Sequence, residues 1–400
     1  RCASLYRDGG RFPEDKGAMH YFWQLPPETR NLPASQTMAW LFYCFHQLSV
    51  WATIFFAQRE YNEHDGPKYS QNIRSINAIA LLVNFICWLL HLLHTHIWYD
   101  ALAPSVHEMS SQGSVILMLV IILLMEGPKR GLFFGKPAMA WNFEVIEICK
   151  RYHGYVFSWA VIYTFWYHPM EGYLGHLFGF FHVWLVMLQG SLMYTTLHLN
   201  RYWRTLCEAW VFVHGMVISM QTLSSESWPM FTFGFGAIFV LTQVPGLPCL
   251  QAKHLVFRLI PLLVFLVVYV IVFVMVTKWT KWFVVFFIPL AEYLGAIGLN
   301  GFMYMVFRAM RFFSPKQNLR LGASLFVSCI MLTIACSIYA QTVELAGGSG
   351  GAIIVYIPMC ILVPLSMFAL NMALSFKKSG HELDPSRLPQ EGRTTCCGTY

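Results

Sequence analysis

NAIALLVNFICWLLHLLHTHIW, residues 77–98, decides the class of this protein. The stretch contains no Asp, Glu, Lys or Arg. At ~1.5 Å rise per residue, a helix of this length crosses a hydrocarbon core of about 30 Å. It nevertheless carries His91 and His94. Ionisable groups inside a membrane are costly and usually face a cavity, a partner or a cofactor.

Comparable apolar runs recur along the 400 residues, which are 56% hydrophobic, 16% aromatic and 12% charged, with a mean hydropathy of +0.50. Soluble domains carry roughly 25% charged residues. The composition therefore predicts an all-α, polytopic membrane helix bundle of about eleven transmembrane helices. The expected spans are residues 38–58, 77–98, 107–126, 155–170, 173–194, 203–223, 229–244, 254–276, 282–307, 320–343 and 352–376. Residues 1–36 read as an outer N-terminal arm, 37–376 as the bundle, and 377–400 as a cytosolic tail. Within the bundle, 137–151 alternates Trp141, Phe143, Ile146 and Ile148 with Glu144, Glu147, Lys150 and Arg151. That pattern predicts an amphipathic helix lying on the inner surface. Gly295, Gly298 and Gly301 recur every third residue of the ninth span, where small residues let a neighbouring helix come close.

The net charge of +7 is an orientation signal and not a nucleic-acid footprint. Arg59 and Arg74, Arg130 and Lys150, Arg201 and Arg204, Lys253, and Arg308 and Arg311 fall in alternate loops. Past the N-terminal arm, the opposite loops carry only Lys278 and Lys281. By the positive-inside rule the N-terminus is outside or lumenal and the C-terminus cytosolic. The eleven cysteines show no zinc-knuckle spacing and read as small buried hydrophobes.

His91, His182 and His214 lie on three different spans, each about seven to nine residues in from the outer boundary, and Glu292 lies about ten residues in. That places all four roughly 10–15 Å below the surface, a level shared with His46. Above them, His94, His168, His176 and Glu171 predict a polar outer mouth. Neutral imidazole is the commonest metal ligand. His and carboxylate without thiolate suit zinc or iron, with haem a weaker candidate. His91, His182 and His214 are thus the candidate metal ligands, with ring nitrogens expected within about 4 Å of one another. Glu292, His94, His168 and Glu171 are the candidate catalytic and proton-path groups.

Function follows from that level. The first reading is an enzyme acting on a lipid-like substrate in the outer half of the membrane, at a His-rich, metal-binding site. The alternatives are a proton- or metal-ion-coupled transporter or channel using the same groups, and a receptor or scaffold whose histidines merely hydrogen-bond neighbouring helices. Membrane lipid, a lipid-like small molecule or an ion is the expected partner, in the plasma membrane or an endomembrane. No Lys lies inside a span, which excludes a retinal Schiff base. HLLHTH at 91–96 matches neither HxxxH nor HxxHH, and GxSxG, Walker and dinucleotide fingerprints are absent.

The loop charges make a testable prediction. An engineered cysteine at Ser379 is expected to resist a membrane-impermeant thiol reagent applied to intact cells, while one in the 99–113 loop reacts. Labelling at Ser379 from outside would reverse the topology.

Overall fold

The structure, a computed structural model, describes residues 32–310 apart from 64–68, 107, 132–141, 173, 223–227, 252–254, 274 and 276–281. Among these residues the fold is all-helical. The helices are α1 (Leu32–Glu63), α2 (Ser75–Ile97), α3 (Glu108–Arg130), α4 (Phe143–Tyr167), α5 (Leu174–Ser191), α6 (Arg201–Thr222), α7 (Trp228–Ile238), α8 (Pro248–Gln251), α9 (Leu255–Val272) and α10 (Phe287–Met310). A π-helical stretch, Phe239–Gln243, extends α7, and a 3-10 turn, Trp282–Phe286, precedes α10. An isolated bridge joins Ser70 to Thr195, and no strand occurs among the described residues.

Among the described residues, five segments are long and apolar enough to cross a membrane: Pro33–Tyr61, Ser75–Ile97, Ser110–Pro128, Trp228–Gly246 and Trp282–Val306. The expected spans from 38–58 to 282–307 each fall on a helix. Spans 320–343 and 352–376, most of the N-terminal arm and the 377–400 tail lie outside the described residues.

The polarity of α2 is inside-out. Asn77, Ala80, Cys87, His91 and His94 are buried, and with the half-buried Asn84 they repeat at alternating intervals of three and four. Ile79, Leu82, Ile86, Leu89 and Leu93 on the other face are exposed. A soluble helix would turn those faces the other way. An apolar outer face with the polar stripe packed inward fits a helix bathed in lipid.

Helix α4 is the centre of the bundle, packed against α1, α3, α5 and α10. Its buried positions run from Val145 to Tyr167 on all sides. The helix starts where the Asn142 side chain accepts from the N–H groups of Glu144 (2.9 Å) and Val145 (3.3 Å), an N-cap with an acidic residue in the first turn. It ends at His168, which is extended (φ −94°, ψ 144°) as the residue before Pro169 must be. Residues 143–151 are therefore the opening turns of α4 and not a separate surface helix. Val145, Ile146 and Cys149 of that stretch pack in the core, and no breaker separates them from the apolar run that follows.

The helices run antiparallel, and cross-links gather at two poles. At the His-rich pole, the Ser35 hydroxyl donates to the Asp100 carbonyl (2.6 Å), and the N–H of Leu102 donates to the Trp166 carbonyl (3.0 Å). At the basic pole, the Asn77 amide donates to the carbonyls of Ser191 (2.7 Å) and Met193 (2.9 Å). There Gln58 also donates to the Arg151 carbonyl (2.9 Å). Such interhelical bonds are worth about 0.6 kcal/mol each on average.

Glycines set the closest approaches. A methyl at Gly295 would stand 2.9 Å from Val120, so α10 lies tight on α3 there. Gly298 and Gly301 face open space among the described residues, so the triplet does not act as one contact stripe. A methyl at Gly179 would stand 2.8 Å from the His214 ring, whereas at Gly190 of the same helix it would meet nothing within 4 Å. Gly179→Ala is therefore expected to lower the melting temperature of the detergent-purified protein. Gly190→Ala should leave it unchanged or raise it, since alanine is favoured over glycine in a helix by about 1 kcal/mol. Equal effects of the two substitutions would show that α5 and α6 are not held this close.

Candidate functional site

The histidines expected at one depth are built into separate helix contacts. His46 on α1 accepts at Nδ1 from the Trp166 indole (3.2 Å), so its proton is on Nε2, which donates to Asn84 Oδ1 (2.8 Å). The Asn84 amide then donates to the Ser191 hydroxyl (2.9 Å), which donates to the Met187 carbonyl (2.8 Å). This relay links α4, α1, α2 and α5 and leaves each member in one orientation. His94 donates from Nε2 to the Ser35 carbonyl (3.0 Å), tying α2 to the start of α1.

His91 is fully buried between the rings of Phe165 (4.4 Å) and Trp166 (4.6 Å). Neither of its nitrogens has a hydrogen bond of ordinary geometry, although the backbone of His168 lies close. His182 and His214 staple α5 to α6 reciprocally. His182 reaches the backbone of Cys207, and His214, seven residues beyond Cys207, reaches the backbone of Gly175, seven before His182. Between these ties the Trp210 indole donates to the Phe178 carbonyl (3.0 Å).

Among the described residues, no three His, Cys, Asp or Glu side chains are grouped so as to hold a metal ion. His91, His182 and His214 thus do not form the three-ligand centre expected from their depth. Equal depth fixes a height along the bundle, but the facing of each helix fixes direction, and these three rings face different neighbours.

Of the candidate catalytic groups, His168 lies within electrostatic reach of His91, His176 and His214. His168 donates from Nδ1 to the Thr164 carbonyl (3.0 Å), and its ring stands 5.5 Å from that of His176. Glu171, in the turn after α4, is buried beside Tyr99 and the Gly172 backbone, and burial raises its pKa from the usual carboxylate range. Tyr99 is a left-handed residue at φ 70°. Glu292 is 3% exposed on α10. It lies between Ile288, which meets Gly234 of α7, and Gly295, which meets Val120 of α3. Where a polar mouth was expected, Trp166, Tyr167, Tyr99 and Leu102 pack with almost no exposure.

A cavity of ≈ 350 Å³ lies among α1–α6 toward the other pole, apolar at depth and polar at a mouth where Arg151 is exposed. Val50, Ile54, Met118, Ile122, Val161 and Ile162 line the deep part. Glu126, Lys150, Arg151, His153, His198, Arg204 and Glu208 line the end near the basic pole. Its size falls in the range of about 300–1,000 Å³ usual for small-molecule sites. His182 also lines it, from α5, as do Asn84 and Ser191 of the hydrogen-bond relay.

Beside the cavity, α3 and α6 are joined by a partly buried ionic network. Arg130 donates to both oxygens of Glu208 (2.8 and 3.1 Å) and approaches Glu126 (3.6 Å), which Arg204 also engages. Arg130 and Arg204 were expected as loop charges marking orientation. They stand instead on helix ends, paired because a half-buried charge without a partner is costly.

His153 and His198 meet at the mouth with ring centroids 6.1 Å apart. His153 donates from Nδ1 to the Lys150 carbonyl (2.8 Å) and His198 from Nδ1 to the Gln189 carbonyl (2.8 Å). A carbonyl can only accept, so each neutral ring keeps its lone pair on Nε2. Tyr194, also at the mouth, is left-handed at φ 57° and stacks on Tyr61 at 4.2 Å. A non-glycine residue in this region costs about 1–3 kcal/mol, and such strain clusters at functional sites. Nothing in the spacing of 153 and 198 foretold their meeting. The α5–α6 connection, with the Ser70 N–H donating to Tyr194 O (3.0 Å) and the Thr196 N–H to Ser70 O (2.8 Å), brings them together.

No family model, no curated protein and no solved structure matches this chain.

His198 lies in the connection between α5 and α6. Burial, reinforced by His153, lowers its pKa to about 4 from 6.5, against the bond to Gln189. Between these values the unfolded chain binds the proton first, so stability falls as pH drops from about 6.5 towards 4. Detergent-purified protein is expected to melt lower at pH 5.0 than at pH 7.5, and His198→Asn, whose amide can still donate to the carbonyl, should narrow the gap. An undiminished gap in the variant would assign the acid sensitivity elsewhere.

Proposed function

We propose that this chain is a multi-pass membrane protein that holds a lipid-like amphiphile in the cavity between α1 and α6. The supporting observation is the cavity's polarity gradient, with an aliphatic depth and a charged, histidine-bearing mouth. An apolar tail lies among Val50, Met118 and Val161, and the polar head meets His153, His198 and the basic residues. With about eleven spans, the N-terminus outside and the C-terminus cytosolic, the mouth faces the cytosolic leaflet, in the plasma membrane or an endomembrane. This moves the site from the outer to the inner half of the bundle.

At the far pole Phe165, Trp166 and Tyr167 are buried, which favours an enzyme acting on a lipid-like substrate over an open channel. His153 and His198, each with a lone pair on Nε2, are the groups suited to accept a hydrogen bond from the bound head.

The test is to fill the cavity from its wall. Gly190 lines it with room at its Cβ, and Gly298, on α10, has room but does not line it. Gly190→Trp is expected to abolish labelling by a photoreactive, long-chain lipid probe in membranes, with Gly298→Trp labelled like the parent protein. Full labelling of Gly190→Trp, in protein that still elutes as a folded species, would remove the cavity as the lipid site.

A further inference from the structure

The cavity mouth carries more specific chemistry than apolar volume alone. Its acids are already taken: Glu208 is held at both oxygens by Arg130, and Glu126 is shared by Arg204 and Arg130. That network sums to zero charge. Lys150 and Arg151 remain. The nearest acid to Lys150 is Glu147 at 4.0 Å, an exposed pair one turn away on the same helix, which contributes little. Among the described residues no carboxylate pairs with Arg151, which acts electrostatically on Tyr194 at the mouth. The surplus charge is therefore positive, and its natural counter-group is a phosphate.

The two histidines add a second requirement. Their Nδ1 protons are committed to the Lys150 and Gln189 carbonyls, so Nε2 can only accept from a ligand while the rings are neutral. A bare phosphate diester has no proton to give. A head with hydroxyl groups does.

We infer that the cavity selects an anionic phospholipid whose head carries hydroxyls, of the phosphatidylglycerol or phosphatidylinositol kind, with the phosphate at Lys150 and Arg151 and the hydroxyls at His153 and His198. This rests on the lipid-site reading above and names the class of lipid. Free glycerol phosphate or inositol phosphate shares the head chemistry but not the tail.

The test uses the full-length protein in detergent with short-chain lipids, measuring affinity by titration calorimetry. Dioctanoyl phosphatidylglycerol and phosphatidylinositol are expected to bind about tenfold or more tighter than dioctanoyl phosphatidylcholine, the scale of one charge-assisted bond. They should also exceed the free head phosphates, because the tail contributes burial. The double variant Lys150→Gln with Arg151→Gln should erase the preference over phosphatidylcholine. Lys150→Arg with Arg151→Lys should keep it, which separates lost charge from lost folding. Phosphatidylglycerol should also bind more tightly than dioctanoyl phosphatidylmethanol, a phosphate diester with no hydroxyl, and His153→Phe with His198→Phe should erase that preference while retaining the one over phosphatidylcholine. Equal binding of phosphatidylcholine and phosphatidylglycerol would overturn this inference and leave the lipid cavity standing. Free head phosphates binding as tightly as the lipids would overturn the lipid as the source. Failure of every lipid to bind would remove the cavity reading itself.

Discussion

Where lipid replaces water outside, each buried polar group must find its partner inside the bundle. The relay from the Trp166 indole through His46 and Asn84 to Ser191 meets that demand for α4, α1, α2 and α5 together. Its direction is fixed, since an indole can only donate and a carbonyl at the end can only accept. That fixes the tautomer of His46 and the orientation of the Asn84 amide. The inside-out face of α2 follows from the same constraint. So does the central place of α4, which supplies Trp166 and is buried along its length.

The two poles divide the work. Near the relay, aromatic rings pack around His91. Towards the basic pole the helices part enough to leave a cavity. The ionic network of Glu126, Arg130, Arg204 and Glu208 holds α3 to α6 beside it. Neutralised among themselves, those charges stabilise the mouth and leave Lys150 and Arg151 as its net field. The strained Tyr194, held by Ser70 and Tyr61, shapes the same rim.

Reading histidines by depth picked out residues that lie at helix contacts, while no metal-holding group occurs among the described residues. His182 and His214 sit at matching heights on one antiparallel helix pair, each close to the other helix's backbone. His94 ties the end of α2 to the start of α1. His153 and His198, far apart in the chain, are neighbours. Arg130 and Arg204 looked like orientation markers and became an ionic clasp. Depth is one coordinate of three. The rotation of each helix and the path of each connection supply the others.

The sequence by itself determined that the chain is helical and apolar, where most helices begin and end, and that the charges collect at one pole. These properties are local, since hydrophobic run length and charge placement are read within one segment at a time. Only the tertiary structure decided which histidines meet, which stay sealed among aromatic rings, and that α1 to α6 leave an amphipathic cavity. Those outcomes depend on how each helix is rotated about its own axis. That rotation is set by contacts between residues far apart in the chain, such as Gly179 with His214 and Trp166 with His46.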